Sequence, residues 1–188
     1  MTRVILASGS PRRRELLGEI GIDPIVRPAD VDETPRPDES PETLVARLAR
    51  SKATAVDADA TDLVIAADTV VAVGGDILGK PDDEAHAAAM LRRLSDTTHR
   101  VITGVHLRRD NNERSAVEAT SITFRPLSDA EIGDYVATGE PMDKAGSFAI
   151  QGLAADFVTA IDGSHSNVVG LPLDVVIELA ADLGVTFS

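Results

Sequence analysis

Short apolar runs alternate with amphipathic stretches along the whole chain, and this interleaving most narrows the folds open to it. Residues 4–7 read as a buried strand, and Ser8-Gly9-Ser10-Pro11 then places Ser10 to cap a helix whose first position is Pro11. Leu16, Leu17 and Ile20 fall on one face of that helix, and Gly21 stops it. Ile25 and Val26 read as a second strand. A long helix is expected from Ser40-Pro41 to about Ala58, with Leu44, Val45, Leu48, Ala55 and Val56 at helical spacing. The apolar runs 63–67 and 70–73 flank Asp68-Thr69 and lead into Gly74-Gly75, which suits a hairpin. Asp82 or Asp83 is placed to cap a helix carrying Ala88, Leu91 and Leu94, and strands are expected over 100–107 and 117–124. Ser128 and Glu131 fit a capping box for a helix through Val136 that closes near Gly139, and 173–183 reads as a last helix stopped by Gly184. This pattern predicts an α/β fold, a mixed β-sheet flanked by helices. A doubly wound parallel sheet is the alternative, but neither GxGxxG nor GxxxxGK[ST] occurs.

No repeat, low-complexity tract or linker divides the 188 residues, so residues 1–188 are expected to form a single domain. Absence of cysteine excludes disulfides, thiolate catalysis and cysteine-type zinc sites. Apolar runs fall far short of the roughly 20 residues that a membrane span requires, and the opening stretch is too brief for a signal peptide. A cytoplasmic protein with no membrane partner is the expectation. Net charge is −13, and aromatics make up 3% of the chain with no Trp, which argues against a nucleic-acid partner. The four histidines show neither HxH nor HExxH spacing, and no GxSxG occurs.

The acidity is unevenly placed. Arg3, Arg12, Arg13 and Arg14 stand without an acid among the first fourteen residues, a balance of +4, and the remainder carries −17. Three arginines in the first turn of a helix oppose its dipole, and a bound phosphate would resolve the conflict by drawing on backbone N–H groups, Ser hydroxyls and guanidinium forks. The alternative is that these arginines are solvated or pair with the acidic, Pro-rich segment 30–42, whose balance is −5. Asp68 interrupts two apolar runs. A carboxylate there is costly unless paired or metal-bound, which makes it a candidate metal ligand or general base, or else an exposed strand end. Asp32-Glu33-Thr34-Pro35 adds carboxylates of the kind that hard divalent cations take. Lys52 lies one turn beyond Leu48, and Lys80 is held between Gly79 and Pro81. Cations for phosphates beside carboxylates for a metal point to chemistry on a metal-chelated polyphosphate.

Nine segments, in order, resemble the Maf family. They are Leu6-Ala-Ser-Gly-Ser-Pro-Arg-Arg-Arg-Glu-Leu-Leu17, Asp32-Glu-Thr-Pro35, Ala49-Arg-Ser-Lys-Ala53, Ala66-Ala-Asp-Thr-Val70, Leu78-Gly-Lys-Pro81, Thr103-Gly-Val105, Asp143-Lys-Ala-Gly146, Ile150-Gln-Gly152 and Asn167-Val-Val-Gly-Leu-Pro172. The resemblance implies a fold similar to the inosine triphosphate pyrophosphatases. It implies hydrolysis of a nucleoside triphosphate between its α- and β-phosphates, with a divalent metal cation, Mg or Mn, as cofactor, and a homodimer. Asp68 would accept the proton from water, Glu33 would act with Asp68 around the metal, and Ser8, Arg13, Lys52 and Lys80 would hold the triphosphate. Arg12, Thr69 and Gln151 resemble the subgroup acting on dTTP and UTP rather than the one acting on 7-methyl-GTP. Gln151, with an amide donor and acceptor, suits a pyrimidine edge. Ser147-Phe148 departs from the family, which more often has a small residue followed by Tyr. Two alternatives accompany this reading: the same chemistry on another or modified nucleotide, and a nucleotide-binding regulator of septum formation without turnover.

Overall fold

The computed structural model describes residues 2–187. In chain order the elements are β1 (Val4–Leu6), α1 (Pro11–Glu19), β2 (Ile25–Val26), α2 (Pro41–Ala55), β3 (Leu63–Val73), β4 (Asp76–Leu78), α3 (Glu84–Leu94), β5 (Thr98–Arg109), β6 (Asn112–Phe124), α4 (Asp129–Ala137), β7 (Val158–Asp162), α5 (His165–Val169) and α6 (Leu173–Asp182). Three 3₁₀ turns, Glu140–Asp143, Ala145–Ser147 and Leu153–Phe157, lie between α4 and β7. Among the described residues the strands form one seven-stranded sheet of order β2-β1-β3-β5-β6-β7, with β4 on β3. The sheet is mixed: β1 runs parallel to β2 and β3, whereas β4 on β3 and β7 on β6 are antiparallel. The expected α/β class with a mixed sheet is therefore the observed one. Among the described residues no helix is long and apolar enough to cross a membrane.

The described residues group into two compact units. The first comprises the residues up to Thr69, Thr103–Glu118 and those from Gly170. Its centre packs Ile5 and Ala7 at β1 and Val64 and Ala66 of β3 against Ala53 of α2 and the following Val56. Ser40 caps α2 by accepting from the Thr43 N–H, with Pro41 at the first helical position. The helix ends at Ala55, short of the expected Ala58. Arg108 reaches over from β5 to donate to the carbonyls of Ala53 and Val56, satisfying orphan acceptors at that terminus. The next residue, Arg109, points to the opposite face of the strand and does the same for Leu183 and Gly184 at the end of α6. Two consecutive arginines thus tie one strand to two helix C-termini. Close approach of β5 and α2 needs Gly104, because a Cβ there would fall on the Val45 carbonyl.

The second unit comprises Val70–Ile102 and Ala119–Val169. Gly74 and Gly75, at φ of 57° and 89°, turn β3 into β4, giving the expected hairpin. Asp83 caps α3 by accepting from the His86 N–H at 2.7 Å, and α4 carries the expected capping box between Ser128 and Glu131. The core gathers Met90, Leu91 and Leu94 of α3 with Ile122, Phe124, Ile132, Tyr135, Phe148 and Phe157. Phe124, Phe148 and His99 meet edge to face, with centroids 4.7–5.5 Å apart.

Candidate active site

β3 is continuous through Asp68, so the two apolar runs that flank Asp68-Thr69 are one strand, and the carboxylate lies mid-strand in a nearly unbroken run of buried residues rather than at an exposed strand end. Burial of a charge at such a position demands a partner. That partner is Lys52, on the buried face of α2, whose Nζ lies 2.6 Å from Asp68 Oδ1. Both side chains are about one-tenth exposed, at 10% and 11%. The same ammonium lies 2.6 Å from Glu33 Oε1, and the Glu33 side chain is 55% exposed. One lysine therefore gathers a buried strand carboxylate and a solvent-facing loop carboxylate around a single positive charge.

The loop bearing Glu33 has no secondary structure of its own, and α2 holds it. Arg47 forms a bidentate pair with Glu39 at 2.7 and 2.8 Å and donates from Nη2 to the Thr34 carbonyl at 3.1 Å, beside Glu33. Asp32 accepts from the Thr34 N–H and Glu39 from the Arg36 N–H, each at 3.0 Å. The Arg47 guanidinium, with the Arg36 N–H, holds the Glu39 carboxyl down at about 2. Arg47 and Glu39 were not among the residues singled out from the sequence. In an acidic segment one more Glu reads as solvated, yet the Glu39 side chain is only 4% exposed.

A second cluster surrounds Arg13. Its Nε donates to the Gly170 carbonyl at 2.8 Å, Nη1 to Ser8 Oγ at 3.1 Å and the Ala67 carbonyl at 2.8 Å, and Nη2 to Thr69 Oγ1 at 3.1 Å. Burial depresses the affinity of this guanidinium for its proton, and the nearby Asp68 charge opposes the effect. Thr69 Oγ1 also meets Thr103 Oγ1 at 2.9 Å. Ser8 accepts from the Ser10 N–H at 3.2 Å. Ser10 holds the expected N-cap position but makes no side-chain cap. The three arginines of α1 thus diverge: Arg13 turns inward, Arg12 is half-buried, and Arg14 pairs with Asp23 at 3.2 Å on the surface. Ser8, Arg13 and Thr69 form one cluster, and Glu33, Lys52 and Asp68 form another. Asp68 directly follows Ala67, whose carbonyl accepts from Arg13.

Lys80 and Gln151 belong to the second unit. Lys80 is exposed between Gly79 and Pro81, and the Gly79 carbonyl accepts from the Gly146 N–H at 3.0 Å. Gln151 is exposed in a turn closed by the Gly152 N–H on the Ala149 carbonyl. Phe148 sits in the aromatic core, and the adjacent Ala149 N–H donates to the Tyr135 phenol at 3.1 Å.

Among the described residues no group of three or more His, Asp or Glu is assembled around a point that could hold a metal ion. Glu33 and Asp68 nonetheless supply two carboxylates that already converge on one cation, the Lys52 ammonium. Hard oxygen donors in that number suit Mg²⁺ or Mn²⁺, which commonly take one or two carboxylates and complete their shell with substrate phosphates and water. The donor set fits the cofactor that the sequence suggests.

Residues 3–183 match the model of the Maf-like protein family. A protein of Anaeromyxobacter dehalogenans (strain 2CP-C) named dTTP/UTP pyrophosphatase is 55% identical over 175 residues, covering 91% of this chain and 89% of its own. A protein of the same name from Escherichia coli O157:H7 is 48% identical over 97% of this chain and 93% of its own. Among solved structures, a HAM1 protein from Coxiella burnetii superposes with a TM-score of 0.52 at 15% identity, over 97% of this chain and all of that one, a likeness of fold. With a family match spanning almost its whole length and relatives near half identity, the chain belongs to the Maf-like protein family.

Proposed function

We propose that this protein hydrolyses nucleoside triphosphates, dTTP and UTP in preference, to the nucleoside monophosphate and pyrophosphate, with residues 1–188 acting as one functional domain. The observation that carries this reading is the Glu33–Lys52–Asp68 cluster, two carboxylates on one ammonium, in a chain about half identical to proteins named dTTP/UTP pyrophosphatase. Asp68 accepts the proton of the water that attacks the α-phosphorus, and Lys52 fixes the orientation of its carboxylate. Glu33 and Asp68 would hold a divalent metal, which when bound offsets charge on the triphosphate oxygens. Lys80, Arg12 and Ser8 bind the triphosphate as cations and hydroxyl donor. Arg13 spends its hydrogen bonds on Ser8, Thr69 and two carbonyls, so it contributes by fixing those groups and by its field. Thr69 and Gln151 bear on the choice of base, Gln151 through its amide. We further read the protein as a cytoplasmic homodimer.

The test is a panel of dTTP, UTP, CTP, ATP and 7-methyl-GTP with Mg²⁺ and with Mn²⁺, scored by kcat/KM for pyrophosphate release. Higher values for dTTP and UTP are expected. Preference for 7-methyl-GTP would move the chain to the modified-nucleotide reading, and saturable binding without pyrophosphate would make it a regulator.

A further inference from the structure

The turn carrying Gln151 is tied down on both sides by side chains from one short stretch of chain. On its N-terminal side the Ala149 N–H donates to the Tyr135 phenol at 3.1 Å. On its C-terminal side the Leu153 N–H donates to the two Glu140 carboxylate oxygens at 3.2 and 3.4 Å. Between them, Gly152 leaves room for that carboxylate, since a Cβ there would fall on its oxygens. Tyr135 is buried, and its ring packs edge to face on Phe157 at 5.2 Å. Burial, and then the adjacent Glu140 carboxylate, keep the phenol protonated well above the usual range. Glu140 opens a 3₁₀ turn whose backbone is held in turn by Lys144, with Nζ 2.9 Å from the Glu140 carbonyl. Tyr135, Glu140 and the turn therefore form a closed bracket from which the side chains of Gln151 and Leu153 stand exposed, Gln151 being the polar one.

We propose that Tyr135 and Glu140 are positioning residues for base selection: they fix the main chain on either side of Gln151, so that its amide meets a pyrimidine edge already ordered. This rests on the functional reading above, in which Gln151 reads the base. An exposed Gln has three rotatable bonds, and recognition by its amide requires a backbone that does not move as well.

The experiment compares Glu140→Ala, Glu140→Gln, Gly152→Ala and Gln151→Ala, and the Glu140→Ala/Gln151→Ala double variant, by kcat and KM on UTP and ATP. Amide hydrogen exchange of residues 149–153 is measured alongside. Loss of one such hydrogen-bonded support is expected to raise KM for UTP about tenfold, leaving kcat and the constants for ATP nearly unchanged. Glu140→Gln, which keeps an acceptor, restores discrimination. Gly152→Ala, which displaces the carboxylate from the other side, reproduces the defect. In the Gln151→Ala background Glu140→Ala adds nothing, and in all backgrounds it speeds exchange at 149–153. Equal losses on UTP and ATP, additive losses in the double variant, or unchanged exchange would overturn the proposal. A wild-type protein that releases no pyrophosphate from UTP would overturn the functional reading instead, and exchange at 149–153 would still decide whether Glu140 holds the turn.

Discussion

His99 shows at the scale of one residue how packing sets chemistry. Its ring is 1% exposed and meets Phe124 and Phe148 edge to face. Burial depresses its pKa to about 4, from an ordinary 6.5. The folded state therefore binds fewer protons than the unfolded state between those values. The stability it contributes is fully present above about pH 6.5 and is lost as pH falls toward 4, a span of about 3 kcal/mol. Urea midpoints measured at pH 7 and pH 5 should fall for the wild type and fall less for His99→Phe; equal falls would contradict this account. Other residues differed in how far the sequence disclosed them. Asp68 was legible because a carboxylate among apolar neighbours has to be explained. Lys52 was visible only as one lysine on a helix until the fold placed it on Asp68. The wiring of Arg13 was hidden because two of its acceptors, Ala67 and Gly170, offer backbone carbonyls that no residue type reveals.

Among the elements, those with end signals were legible. Ser40-Pro41, Asp83 and the Ser128–Glu131 box each start a helix where the capping rules put one. β5 and β6 run longer than 100–107 and 117–124, because Arg108, Arg109 and the polar residues from Asn112 do not read as strand. In that extension Arg108 and Arg109 donate to the carbonyls at the ends of α2 and α6. From Glu140 to Val169 the chain uses 3₁₀ turns, the exposed edge strand β7 and the five-residue α5, too short or too polar to show a period. The contact of β5 with α2 at Gly104 is the tightest element-level constraint in the first unit, since the obstacle is backbone. Gly104→Ala should destabilise the protein by about 1–3 kcal/mol through overpacking. A urea midpoint at the wild-type value would show that α2 can yield.

For the molecule as a whole, the −13 net charge first set the problem of how an acidic protein handles a polyphosphate. The arginines of the basic opening, at +4, do not converge on one point. Arg3 pairs with Asp59 and Asp62 and so ties the start of β1 to the start of β3, and Arg14 pairs with Asp23. Arg13 is buried among neutral acceptors. The exposed pairs of Arg3 with Asp59 and Arg14 with Asp23 contribute little energy, whereas Asp62 is buried and depends on Arg3 for its charge. The central claim is that Asp68, held by Lys52, activates water for attack at the α-phosphorus. Its most direct test is product analysis of dTTP incubated with Mg²⁺ and either the wild type or Asp68→Asn, with circular dichroism to verify the fold. The wild type should yield equal amounts of dTMP and pyrophosphate, and the variant should lose about 10²–10⁴-fold in kcat. Formation of dTDP and orthophosphate, or a folded Asp68→Asn with undiminished turnover, would contradict it.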